Sequence, residues 1–66
     1  MVGNSKPSRH LTLEDAVIIW HWHWNGEFQH RIAATFDVNP GRVNEVLKGR
    51  RHPESRALAL SRRLAA

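Results

Sequence analysis

The chain contains no cysteine, so no disulfide can brace it and no thiolate can act as nucleophile or metal ligand. No apolar run approaches the roughly 18 residues of a membrane span. The start, Met1-Val2-Gly3-Asn4-Ser5-Lys6, lacks the apolar core of a secretion signal. These absences together predict a cytoplasmic protein that does not enter a membrane. There is also no carboxylate pair, no phosphate-cradling glycine loop and no base-activated nucleophile, so neither catalysis nor a cofactor is expected.

What is present is short and unevenly charged. A chain of 66 residues has room for one small core. The formal net charge of +4 divides into +2 over residues 1–10, −3 over 11–30 and +5 over 31–66. A basic second half joined to an acidic first helix predicts one face for a polyanion and another for something else. Residues 1–10 have almost nothing to bury and read as a flexible basic arm carrying Lys6 and Arg9. Residues 11–66 read as a single domain.

The pattern along that domain is all-α. Thr12 is placed to cap a helix whose first turn carries Glu14 and Asp15, with Leu11 and Ala16 at the positions of a hydrophobic staple. That helix is predicted over 13–24 and stopped by Asn25-Gly26. Val17 to Trp24 is also β-branched and aromatic, and Asn-Gly could turn a hairpin. The upstream cap and the helical spacing downstream exclude a returning strand. Phe28, Ile32 and Phe36 repeat every four residues, with Ala33 beside them, and predict a second helix over 27–36. Asn39 as cap and Pro40 at the first helical position begin a third, 40–48, with Val43, Val46 and Leu47 as its stripe and Gly49 beyond its end. Pro53 precedes a fourth, 54–64, with Ala57, Leu58, Leu60, Ser61 and Leu64 partly on one side.

The stretch from Gln29 to Lys48 resembles the helix-turn-helix of bacterial and phage repressors and of resolvase-type recombinases. Ile32, Phe36, Val38, Val43 and Val46 stand where that motif is apolar, and Ala33 where its helices cross closely. The geometry is understandable without the likeness: a nearly bare crossing position, a buried turn residue (Val38) and an i, i+3 pair let two short helices share a small core. The departure is Asp37, which stands where glycine is usual at a left-handed backbone position; Asp tolerates that conformation better than most residues.

The resemblance implies a three-helix core with an appended fourth helix, and a small transcription regulator, repressor-like, from a bacterium, phage or mobile element. Its partner would be double-stranded DNA, placing it on the nucleoid. The third helix would enter the major groove with Asn39, Gly41, Arg42, Asn44, Glu45 and Lys48 toward the bases. Asn44 suits adenine, Arg42 guanine or phosphate, and Glu45 either a cytosine amino group or Arg42 itself. Gln29, His30, Arg31, Arg50, Arg51 and His52 would hold the DNA backbone, and Lys6 and Arg9 an adjacent minor groove. Such proteins bind as two-fold dimers, so a homodimer is a further expectation.

The Trp-His block stands apart from this motif. Leu13, Ala16, Val17, Trp20 and Trp24 point one way, toward the second and third helices. Ile18 and Trp22 point away, with Ile19 near the edge, and call for a second cover. The fourth helix could provide it through Leu58, Leu60 and Leu64; alternatively Ile18, Trp22, Leu60 and Leu64 form a dimer or partner surface. His21 and His23, about 200° apart on a helix, cannot share a metal ion, so no metal site is expected. Two other functions compete: an antiactivator-like protein-binding module using Ile18 and Trp22, and a single-stranded nucleic-acid binder stacking bases on tryptophan.

Overall fold

The computed structural model describes residues 10–65, with side chains up to Arg63. Residues 1–9 of the arm, Lys6 and Arg9 among them, lie outside the described residues, as does the side chain of Leu64. Four helices follow in order: α1 (Leu13–Trp24), α2 (Gln29–Phe36), α3 (Pro40–Leu47) and α4 (Ser55–Ala65). No strand occurs among the described residues. No helix among them is long and apolar enough to cross a membrane.

The helix ends are set locally. At α1 the Thr12 hydroxyl accepts from Asp15 N–H at 3.1 Å, and the Asp15 carboxylate accepts from Thr12 N–H at 3.0 Å. This reciprocal box satisfies two amides that would otherwise lack partners. Leu11 and Ala16, flanking it, are both buried in the core.

The first three helices then close in the same way. Glu27 N–H reaches back to Trp22 O, Val38 N–H to Ala33 O, and Arg50 N–H to Glu45 O, at 2.9–3.1 Å. In each, the preceding residue bonds three back: Gly26 to His23, Asp37 to Ala34, Gly49 to Val46. This is the Schellman closure, which requires a left-handed residue. Gly26 and Gly49 take it at φ 92° and 79°, and Asp37 takes it at φ 59°, ψ 47°. Asp37 therefore adopts the left-handed backbone expected of it.

The core draws on every helix. Ala16, Val17, Ile19 and Trp20 come from α1, Ile32, Ala33 and Phe36 from α2, Val43 and Val46 from α3, and Ala59 from α4, joined by Leu11 and by Val38 in the turn. Ala33 and Val38 are buried, as a close pairing of α2 with α3 demands.

Several expectations are corrected. Phe28 does not belong to the apolar face of α2: it precedes the helix, is 65% exposed and stacks on the His30 ring. The second helix begins two residues later than predicted, because Glu27 is taken up in the closure of α1, its N–H bonded to Trp22 O, and Phe28 is extended. Asn39 precedes α3 but makes no side-chain capping bond; Pro40 needs none, since it has no N–H and its φ suits a helix start.

The faces of α1 are also distributed differently. Ile19, placed at the edge by the wheel, is fully buried. Trp20 and Trp24 also meet α4: Trp20 Nε1 donates to Ser55 Oγ at 2.9 Å, and Arg56 and Arg63 lie over the two indoles, 5.8 and 5.0 Å from the ring centroids. Trp22 turns instead to Phe36 of α2, centroids 5.5 Å apart. A buried indole needs an acceptor, and Ser55 provides it. Among the described side chains of α4 the buried ones are Ser55 and Ala59, one turn apart. Leu58 and Leu60 are half-buried beside them, and Ala57 and Ser61 are exposed. Two small residues let α4 lie close along α1.

Candidate nucleic-acid interface

Helix α3 is held from one side only. Val43 and Val46 are buried and Leu47 half-buried, while Asn39, Pro40, Gly41, Arg42 and Lys48 are exposed and Asn44 and Glu45 half-exposed. Gly41, Asn44, Glu45 and Lys48 follow i, i+3, i+4, i+7, so they share one stripe opposite the valines, with Arg42 on its flank. The stripe is polar and carries both hydrogen-bond donors and acceptors. Asn39, just before the helix, is exposed and its side chain makes no capping bond.

Gly41 is informative because the fold does not require it. Its φ is not positive, and a Cβ added there would meet no atom within 4 Å. Glycine weakens a helix relative to alanine, so within the chain alone it is a loss without a gain.

The described arginines and Lys48 fall into three groups. Arg56 and Arg63 cover the tryptophans, and Arg62 pairs with Glu14 at 2.6 Å; these three fasten α4 to α1. Lys48 and Arg50, at the end of α3, and Arg31 on α2 are exposed and have no carboxylate partner among the described residues. Arg42 and Arg51 converge on Glu45: Arg51 Nε donates to Oε1 at 2.9 Å and Arg42 Nη1 approaches both oxygens at 3.3 Å. The Arg51 hydrogen bond above all, with the charge of Arg42, holds the Glu45 carboxyl below the usual carboxylate range. Of the two roles open to Glu45 in the sequence, the ion pair with Arg42 is therefore already made.

His52 is placed differently from its expected role. Its ring Nε2 donates to the Leu11 carbonyl at 2.8 Å, and its backbone is left-handed, φ 50°. It fastens the loop after α3 to the entry of α1, and that nitrogen is no longer available to a phosphate. No sequence signal links two residues 41 apart.

At the start of α2, Gln29, His30 and Arg31 are exposed, and the amides of Gln29 and His30 have no acceptor among the described residues. Free amides at a helix start favour an anion. Next to them an open groove of about 540 Å³ runs between the end of α1 and the outer side of α2, lined by Trp22, Asn25, Glu27, His30, Arg31 and Thr35. The expected partner surface is smaller than its residues suggested. Ile18, Trp22 and Leu60 are each half-buried, Ile18 and Trp22 against the core. Among the described residues no three His, Asp or Glu side chains gather as metal ligands.

No family model, no curated protein and no solved structure matches the chain.

Proposed function

We propose that the chain binds double-stranded DNA in a sequence-dependent manner, with α2, the Asp37–Asn39 turn and α3 acting as a helix-turn-helix and α3 as the reading helix. The observation that carries this reading is the polar stripe Gly41, Asn44, Glu45, Lys48 on a helix buried only through Val43, Val46 and Leu47. Lys48 and Arg50 beyond its end, and the free amides at the start of α2, supply phosphate contacts on either side of it. A small transcription regulator is the role this activity would serve, acting as a homodimer on a two-fold site.

The groove beside Trp22 supports a second reading, a protein-docking module, because exposed Phe28 lies in sequence between two of its lining residues, Glu27 and His30. Selection of bound duplexes from a random pool separates the two. DNA reading yields an enriched sequence, and a palindrome in that sequence reports a dimer. A duplex pool that stays random overturns the proposal.

A further inference from the structure

Glu45 stands on the stripe offered to DNA, yet it carries the charge that DNA repels. Its surroundings give it a different task from contact with a base. The carboxylate is tied at once to Arg42, one turn before it on the same helix, and to Arg51, in the loop beyond. Arg51 is also held by its backbone: the Arg50 and Arg51 amides both donate to the Glu45 carbonyl, at 2.9 and 3.3 Å. Main chain and side chain thus fix Arg51 against one residue.

The donor atoms used decide what remains. Arg51 is bound through Nε, so both of its Nη groups stay free, and those two form the end-on fork that fits a phosphate or the O6/N7 edge of guanine. Arg42 is bound through Nη1, leaving Nη2 and Nε. Both guanidiniums remain partly exposed, at 52% for the Arg42 side chain and 36% for Arg51. An arginine held before binding loses less rotamer freedom when it binds.

We propose that Glu45 is a positioning residue, which aligns Arg42 and Arg51 as a pre-set pair of anion forks and itself reads no base. This rests on the DNA-binding reading above. It makes a prediction opposite to simple electrostatics. Glu45→Ala removes a negative charge from a surface facing a polyanion, which alone would tighten binding to every sequence.

The test measures wild type, Glu45→Ala and Glu45→Gln against the selected duplex and a scrambled duplex of equal length. Circular dichroism confirms that each variant is folded. The expected result for Glu45→Ala is a loss of about tenfold on the selected duplex, with scrambled-duplex binding unchanged or tighter. Glu45→Gln keeps an oxygen for Arg51 Nε and is expected to fall between. In the free protein, the Arg51 Nε–H resonance should be protected from exchange in the wild type and lose that protection in Glu45→Ala. Two results overturn the proposal while leaving DNA binding intact: selected-duplex affinity equal to or above wild type in Glu45→Ala, or an Arg51 Nε–H unprotected in the wild type. A wild type that prefers no duplex removes the DNA reading itself and this role with it.

Discussion

The indole of Trp20 donates a buried hydrogen bond to the Ser55 hydroxyl at 2.9 Å, and so joins the middle of α1 to the first residue of α4. With Ser55 1% exposed and Trp20 7% exposed, water cannot replace either partner easily. Ser55→Ala should destabilise the fold by about 1–3 kcal/mol, the cost of stranding a buried donor. In Trp20→Phe the same change should cost much less, because no N–H is left unpaired. Urea unfolding of the four proteins in this cycle checks it. Equal cost of Ser55→Ala in both backgrounds would show that the bond does not hold α4.

Asp37 takes a backbone conformation that disfavours any side chain and puts a negative charge at a helix end that disfavours anions. Asp37→Gly relieves both, partly offset by the greater freedom of glycine in the unfolded chain. A net gain of roughly 0.5–1 kcal/mol is expected, seen as a raised midpoint of thermal unfolding. Asp37→Val should move the midpoint down, since a β-branched residue tolerates positive φ least.

Gly41 separates stability from function. Gly41→Ala has space for its methyl group and is expected to stabilise the helix by roughly 0.5–1 kcal/mol. If the bare backbone exists for close approach to DNA, the same variant binds the selected duplex more weakly. A variant both more stable and equally tight would remove Gly41 from the interface.

The Glu45 carboxyl titrates below the ordinary range because Arg51 and Arg42 favour its charged form. A lowered folded-state value means that its contribution is complete above the unfolded-state value and is lost as pH falls through the folded-state one. The stability difference between wild type and Glu45→Gln should therefore be constant near neutral pH and shrink in the acid range, below where free carboxylates titrate. Thermal unfolding of both proteins from neutral pH down through the acid range reads this directly. A difference that grows on acidification contradicts the assigned pairing.

Legibility in the sequence tracked the distance over which each interaction acts. Thr12 with Asp15, Asn25-Gly26, Asp37 and Gly49 act within one turn of chain, and their residue types alone marked where helices start and stop. Val38, Val43 and Val46 were legible because a short turn leaves few ways to bury them. The side of α1 that α4 would take was not legible. Trp20 and Trp22 are alike in hydrophobicity, and the choice between them rests on a serine 35 positions beyond Trp20. Ser55 and Ala59 carried a faint signal, two small residues one turn apart, beside the stronger pattern of leucines. The periodic Phe28 misled because periodicity does not say where the helix begins. His52 looked like one more cation in a basic run until the fold brought it to Leu11.

The most direct measurement compares Asn44→Ala with Arg50→Ala on the selected and scrambled duplexes over a range of salt. Asn44 lies on the stripe of α3, and Arg50 is an exposed cation beyond it. Asn44→Ala should weaken the selected duplex by about 1–3 kcal/mol and leave the scrambled one unchanged. Arg50→Ala should weaken both alike and reduce the salt slope by about one unit. Equal losses on both duplexes for both variants, or no salt-dependent duplex binding in the wild type, would contradict α3 as a reading helix.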